Sequence, residues 1–210
     1  MTSSPASGDP RMAFPFIGGR ACLDFAATLG KRHADSFERL PDPAALGRWI
    51  AESGLHPEPG EITPLNLARA RTLREALYRM LTAAMRGAAP DHADVAEVNT
   101  AAARPDLAPQ LVLTPAGPAL RRQAAHIAPA VPATATGGDV AAAALATVAR
   151  DAVLLTSGPL IQRVKECENP GCSLLFLDDS QARRRRWCSM DRCGNLAKIA
   201  GYRSRTRSTR

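Results

Sequence analysis

The chain has 210 residues, of which 45% are hydrophobic and 22% charged, so it can form a packed domain plus a small module and is not disordered throughout. No apolar run reaches the roughly 18 residues of a membrane-spanning helix. The N-terminus lacks the basic start and apolar stretch of a secretory signal. We therefore expect a cytoplasmic protein without a membrane partner, in which thiols stay reduced.

The net charge of +7 is distributed unevenly along the chain. Residues 1–160 carry equal numbers of acidic and basic side chains, so residues 161–210 hold the whole excess. Arginine greatly outnumbers lysine in this C-terminal part. A neutral body with a basic end is typical of a protein whose partner is a polyanion.

The first half of the body is predicted to be helical. Residues 22–32 place small and apolar side chains on one helical face, and a helix over 43–53 would bury Leu46, Trp49 and Ile50 before it ends at Gly54. The strongest pattern begins at the N-cap Thr63, followed by Pro64 at the first helical position, and ends at Gly87. A weaker helix is expected over 91–103.

In the second half of the body, segments predicted to form secondary structure alternate with segments rich in proline and glycine. Residues 107–115 read as a strand, and the stretch 115–138, rich in Pro, Ala, Thr and Gly, is expected to be a loop. A last helix would start at the cap Asp139 and end where Ser157, Gly158 and Pro159 interrupt the pattern. The expected organisation is a disordered leader over 1–12, a helical domain over 13–159, a small C-terminal module over 160–204 and a basic tail over 205–210.

Four of the five cysteines lie in the stretch "CENPGCSLLFLDDSQARRRRWCSMDRCGN". Two close pairs of thiolates are the ligand set of a structural, tetrahedral zinc ion with no open position. Disulfides are disfavoured in a reducing compartment, redox pairs usually read C-x-x-C, and four unrelated core cysteines would not be paired in this way. Cys22 is expected to be a core residue. The predicted ligands of one structural Zn²⁺ are Cys167, Cys172, Cys188 and Cys193.

The segments between and after the cysteines predict a small zinc-stapled fold. "SLLFLDD" is expected to form a strand, "DSQA" a turn and "RRRWC" a returning strand. A helix would follow from Cys193, with Leu196, Ile199 and Ala200 on its inner side. A knuckle, a hairpin and a helix resemble a treble-clef finger. The predicted fold class is therefore mainly α, a helical N-terminal domain followed by a small treble-clef-like zinc finger.

The basic residues of the finger are predicted to contact nucleic acid. A run of charge is most often only a solvated surface, but here it is almost purely positive and lies on a metal-stapled scaffold. Arginine's planar fork suits phosphates and guanine edges. The predicted nucleic-acid-binding residues are Arg183, Arg184, Arg185, Arg186, Arg192, Lys198, Arg203 and Arg205.

The motifs "LFLDDS", "RRRWCSM" and "CGN" resemble the CGNR zinc-finger family, and "CLDFAATLGKR" and "LREAL" resemble its N-terminal ABATE domain. Members are regarded as stress-induced transcription regulators. The resemblance implies a zinc finger that binds double-stranded DNA, with the four cysteines as ligands. Leu196 stands where the family motif has arginine, so that residue's contact is missing. Ala27 stands where the family usually has asparagine, so any effector contact made there would be altered.

The leading hypothesis is a one-component regulator in which the body binds a small effector or a protein of the transcription machinery. The alternative is a zinc-stapled adaptor that contacts proteins without binding DNA, and RNA is a third partner to test. A homodimer would suit paired half-sites. No enzyme is expected, because the four histidines are scattered and no nucleophile or phosphate-binding motif occurs. The candidate effector-binding residues are Asp24, Thr28, Arg32 and Arg74.

Overall fold

The computed structural model describes residues 9–124 and 136–199, without the side chains of 124 and 136–139. The predicted leader up to residue 8, the basic tail, Ala200, Arg203 and Arg205 lie outside this range. The chain divides into two compact units. One, here called the finger unit, joins the N-terminal segment as far as Arg39 to the segment from Gln162 onward. The other, the helical unit, is Leu40–Ile161.

The N-terminal segment of the finger unit contains short elements. A 3-10 helix, Pro10–Met12, is followed by α1 (Ala21–Ala26) and by the antiparallel strands β1 (Leu29–Gly30) and β2 (Phe37–Glu38). The helix predicted over 22–32 therefore ends at Ala26. The reason is tertiary, because the carbonyl of Thr28 accepts a hydrogen bond from the amide of Arg39 and the chain pairs as a ribbon instead of continuing the helix.

The helical unit buries one face of each of its main helices. In the helix Pro43–Glu52, Leu46, Trp49 and Ile50 are fully buried, as the sequence predicts, and Gly54 adopts a left-handed φ of 72° just after it. The side chain of Thr63 caps the next helix, which begins with Pro64 in the first position. The helices are α2 (Pro43–Glu52), α3 (Pro64–Met85), α4 (His92–Ala102) and α5 (Thr136–Ser157).

A hairpin projects from the helical unit between α4 and α5. The predicted strand is present as β3 (Leu107–Thr114), but it pairs with a second strand, β4 (Gly117–Ala124), in the stretch expected to be a loop. Gly117, with a φ of 114°, allows the tight reversal that brings the two strands into register. Helix α5 begins at Thr136, ahead of the expected cap Asp139.

Helix α5 contains one 18-residue window, Val140–Ser157, that is long and apolar enough to cross a membrane by composition, although the sequence was expected to contain none. Over half of this window is buried within the protein. Ala141, Ala144, Val148 and Ala152 are fully buried, which is the behaviour of a core helix.

The C-terminal segment of the finger unit begins after α5. It contains a 3-10 helix (Pro159–Arg163), the antiparallel strands β5 (Val164–Glu166) and β6 (Leu175–Leu177), and a π-helical turn (Met190–Gly194) that continues as a helix over 195–199. The observed class is mainly α with small two-stranded sheets and a cysteine cluster, as predicted.

The core of the helical unit can be tested on α3 with a matched pair of leucines. Leu77 is fully buried, whereas Leu65 on the same helix is 57% exposed. We expect Leu77→Ala to lower the free energy of unfolding by about 2–5 kcal/mol through lost burial and a residual cavity. Leu65→Ala should change it by no more than about 0.5 kcal/mol in the same denaturant titration. Equal effects would contradict this assignment of the core.

Candidate metal centre

The first cysteine pair lies on a knuckle between two strands. β5 pairs with β6, and the amide of Cys167 donates to the carbonyl of Leu174 at 2.9 Å, which closes the hairpin. Asn169 shapes the turn inside the pair, because its side-chain Oδ1 accepts from the amide of Gly171 at 3.0 Å and its carbonyl from Cys172 at 2.7 Å. The thiols of Cys167 and Cys172 therefore project from the same short turn.

The second pair lies at the start of the C-terminal helix. Ser189 is the N-cap of the π-helical turn, and its hydroxyl accepts from the amide of Arg192 at 3.2 Å. The carbonyl of Ser189 accepts from the amides of Cys193 and Gly194 at 3.2 and 3.0 Å. This cap holds the backbone so that the thiol of Cys193 faces the thiol of Cys188.

The four cysteine sulfurs converge on one point, with all Sγ atoms within 4.8 Å of one another. Two of the separations are 3.9 Å, between Cys172 and Cys188, and 3.6 Å, between Cys188 and Cys193. A tetrahedron with Zn–S bonds near 2.3 Å has edges of about 3.8 Å. The four sulfurs therefore fit a single structural zinc ion, which would fill its coordination with protein ligands.

The thiols of this cluster are hydrogen-bonded to one another. The pKa of Cys167 is lowered to about 2, because the thiols of Cys172 and then Cys188 donate hydrogen bonds to its sulfur. The same hydrogen bond to Cys167 raises the pKa of Cys172 to about 12, and that of Cys188 is raised for the same reason. Four thiolates cannot crowd together unless a cation neutralises them, and a bound zinc ion supplies that charge.

The returning strand predicted from "RRRWC" does not form. The partner of β6 is β5, which precedes the first cysteine pair. Instead, the backbone of the arginine run is held by side chains: Lys165 Nζ donates to the carbonyl of Arg183 at 2.7 Å, and the amide of Arg185 donates to Asp178 Oδ2 at 3.0 Å. These bonds use backbone groups that a strand partner would otherwise need.

Asp178 is the buried polar centre of this loop and was not predicted. Burial alone would raise its pKa, but hydrogen bonds from Lys165, Ser180 and the amide of Arg185 outweigh burial and hold the pKa below its usual range. The Lys165 Nζ and Ser180 Oγ atoms each lie 2.6 Å from its carboxylate. The Asp-x-Ser pattern directly after a strand is the one sequence signal that could have indicated this turn.

The predicted nucleic-acid-binding residues have different environments. Arg185 is a structural residue, because its guanidinium donates to the carbonyl of Cys188 at 2.7 Å and lies 4.8 Å from the Phe176 ring centre. Arg186 is exposed but pairs with Glu168 at 2.6 Å. The remaining members within the described range are exposed and form no ion pair there: Arg183, Arg184, Arg192 and Lys198.

Residues from the N-terminal segment complete the core around the cysteines. Ala27 is buried in one cluster with Cys167, Cys188 and Cys193, and Ile17 packs against it. Ala27, the position at which the sequence departs from the family pattern, therefore borders the metal centre.

Hydrogen bonds between described residues join the two segments of the finger unit. The amide of Leu177 donates to the carbonyl of Gly18 at 2.8 Å, and the amide of Arg32 donates to Ser173 Oγ at 2.8 Å. His33 Nε2 lies 2.7 Å from Glu166 Oε1. A fragment that begins near residue 160 would lose all of these contacts.

The candidate effector residues do not all belong to one unit. Asp24, Thr28 and Arg32 lie in the finger unit, whereas Arg74 lies on α3 of the helical unit, buried beside Glu75 at 2.8 Å. Asp24 Oδ1 accepts from the amide of Gly18 at 2.8 Å, and the hydroxyl of Thr28 donates to the carbonyl of Phe25 at 2.7 Å. These residues have structural hydrogen bonds, and effector binding by them stays a prediction.

The fold and the four-sulfur centre define a zinc-finger protein with a separate helical unit. Two family models match the chain. One, described as "ABATE: Putative stress-induced transcription regulator", matches residues 19–159, and the other, described as the CGNR zinc finger, matches residues 163–206. The chain belongs to the ABATE family and carries its zinc finger of the CGNR type. A search of curated proteins found no match.

The family matches and the compact units divide the chain at different places. The ABATE match includes most of the N-terminal segment, whereas in three dimensions this segment packs with the finger. The cysteine core contains Leu174 and Phe176 from the C-terminal segment and is extended by Ala27 and Ile17 from the N-terminal one. A metal site completed from both ends of the chain is the result.

The buried carboxylate can be tested against its exposed neighbour. Asp178→Asn removes the buried acceptor of the bonds from Lys165, Ser180 and the amide of Arg185, and loss of such a buried polar partner is expected to cost about 1–3 kcal/mol. Asp179→Asn affects an exposed group and should cost no more than about 0.5 kcal/mol. Denaturant unfolding of the zinc-loaded chain measures both, and a D178N value as small as that of D179N would contradict the assigned role.

The zinc centre can be tested by metal analysis of the whole chain. We expect one zinc per wild-type chain and less than a tenth of that in Cys188→Ser, because three ligands cannot hold structural zinc against a chelator and the finger then unfolds. Cys22→Ala, which removes the buried thiol outside the cluster, should retain full zinc content. Zinc retained at full stoichiometry by C188S would refute the ligand set.

Proposed function

We propose that this regulator acts by binding double-stranded DNA through the finger unit. The observation that carries the proposal is the group of exposed cations Arg183, Arg184, Arg192 and Lys198, which form no ion pair within the described range. Cations that are not already neutralised can replace the counterions of a phosphate backbone. Their attachment to a metal-stapled scaffold supports a defined binding surface.

The environment of each arginine separates contact residues from structural ones. Arg183 adopts a left-handed φ of 50°, and with Arg184 it lies on an exposed loop whose backbone is held by Lys165. The guanidinium of Arg185 already donates a hydrogen bond to the carbonyl of Cys188, so we assign this residue a role in supporting the loop rather than in binding DNA. We assign DNA contact chiefly to Arg183, Arg184, Arg192 and Lys198, with Arg186 available once it leaves Glu168.

The helical unit is proposed to receive the effector or partner signal. A cleft of about 190 Å³ lies between α3, α4 and α5, lined among others by Asn66, Arg69, Glu97 and Arg104. This volume is below the usual range for drug-sized ligands, so it would suit only a small polar molecule. A zinc ion whose four positions are filled by sulfur has no place for substrate, which supports a regulator rather than an enzyme.

A second candidate function is a protein-binding adaptor. Three apolar side chains near the second cysteine pair are solvent-exposed: Met190, Leu196 at 58% and Ile199 at 49%. The sequence pattern placed Leu196 and Ile199 on the inner side of this helix, and the structure corrects that assignment. Exposed apolar residues on a finger favour a protein partner over a phosphate backbone.

Salt-titrated DNA binding tests the proposal. Each phosphate contact contributes a slope of about 0.9 to the dependence of log affinity on log salt. The double variant Arg183→Gln/Arg184→Gln is expected to lower this slope by about two and to weaken binding at low salt, with zinc content unchanged. Arg121→Gln, an exposed arginine of β4 in the helical unit, is the matched control and should bind as wild type does.

The outcome also separates the three partner classes. A slope near zero on duplex DNA, together with loss of a protein partner in Leu196→Glu, would favour the adaptor and reject the DNA proposal. Stronger competition by single-stranded RNA than by duplex DNA would assign RNA as the partner.

A further inference from the structure

Arg39 is a buried cation that forms no ion pair with any carboxylate of the described residues. Its side chain lies at the end of the N-terminal segment of the finger unit and is only 2% exposed. The guanidinium donates from Nε to the carbonyl of Arg11 and from Nη1 to the carbonyl of Ala27, each at 2.8 Å. It also lies 4.5 Å from the centre of the Phe37 ring. Over the described residues, no acidic side chain lies within ion-pair distance of it.

The other buried charge of the finger unit is compensated. Among the described residues of this unit, only Asp178 and Arg39 are buried and charged, and Asp178 has Lys165 at 2.6 Å. A buried charge costs several kcal/mol unless an opposite charge or several hydrogen bonds offset it. Two carbonyls and one aromatic ring offset only part of the cost for a guanidinium, so a further source of negative charge is needed.

The zinc centre is that source. A divalent ion bound by four thiolates carries a net charge of about −2, in a core that is largely shielded from water. Ala27, whose carbonyl accepts from Arg39, packs in one cluster with Cys167, Cys188 and Cys193. The guanidinium is therefore hydrogen-bonded to the backbone of a residue that borders the sulfurs. Burial and then Arg192 lower the pKa of Arg39 to about 10, whereas Cys172 and then Glu38 raise it.

We propose that Arg39 is the internal counter-ion of the zinc–thiolate centre, supplied by the N-terminal segment. Its positive charge stabilises the anionic zinc–thiolate cluster relative to the protonated, metal-free thiols, and it lowers the nucleophilicity of the sulfurs. Zinc is therefore held more tightly, and the thiolates react more slowly with electrophiles. The inference concerns the metal centre and does not depend on the identity of the nucleic acid or protein partner.

Charge and shape at this position can be separated with two variants of the full chain. Arg39→Gln keeps hydrogen-bond donors but removes the charge, whereas Arg39→Lys keeps the charge but loses the planar fork. Loss of a residue that supports metal ligands typically weakens metal binding 10–100-fold. In chelator competition we expect a zinc Kd at least tenfold weaker for R39Q and within about threefold of wild type for R39K.

Arg71→Gln is the matched control. Its guanidinium also donates to a main-chain carbonyl, that of Leu40 at 3.1 Å, but it lies in the helical unit. R71Q should leave the zinc Kd unchanged. Iodoacetamide alkylation of the zinc-loaded chains gives an independent readout, with R39Q expected to react several times faster than wild type, R39K and R71Q.

Two results would overturn the proposal. One is a zinc Kd for R39Q within twofold of wild type, and the other is an equal loss of affinity in R39K and R39Q, which would indicate a role in shape alone. If R39Q does not fold even with zinc, R39K decides: a Kd within threefold of wild type supports the counter-ion, and a tenfold loss rejects it.

Discussion

The convergence of four cysteine sulfurs on one point is the constraint on which the finger unit depends. Isolated thiolates at separations of 3.6–3.9 Å repel one another, so the arrangement is stable only when a cation neutralises it. Binding of structural zinc is worth on the order of 10 kcal/mol or more in small fingers, which exceeds what a short apolar cluster can supply. The turn shaped by Asn169 and the N-cap Ser189 orient the ligands, but zinc binding supplies most of the free energy that keeps the unit folded.

This constraint also explains why the finger uses both ends of the chain. Leu174 and Phe176 of the C-terminal segment pack with the cysteines, and Ile17 and Ala27 from the N-terminal segment complete the cluster. The buried Arg39 belongs to the same segment, and its guanidinium donates a hydrogen bond to the carbonyl of Ala27. The family's opening motif therefore has a structural role in the finger, whether or not it also meets an effector.

The arginine run shows how a single stretch serves two purposes. Alternate residues of a simple strand would have presented two equivalent faces, but the observed loop is held by Asp178 and Lys165. Arg185 is consequently turned inward to the carbonyl of Cys188, while Arg183 and Arg184 remain exposed. The number of charges available to a polyanion is smaller than the composition suggests, and their positions depend on one buried carboxylate.

The sequence by itself determined the metal, its ligand type, the helical body, the caps at Thr63 and Gly54 and the location of the excess positive charge. These features depend on local spacing, residue chemistry and helical periodicity, all of which can be identified directly from the sequence. Only the tertiary structure decided that β6 pairs with β5, that Leu196 is exposed and that Ala27 packs against the cysteines. Ala27 lies more than a hundred positions before Cys167, and the strand pairing encloses the first cysteine pair. Burial and packing between separate segments decide these features, so no local sequence pattern predicts them.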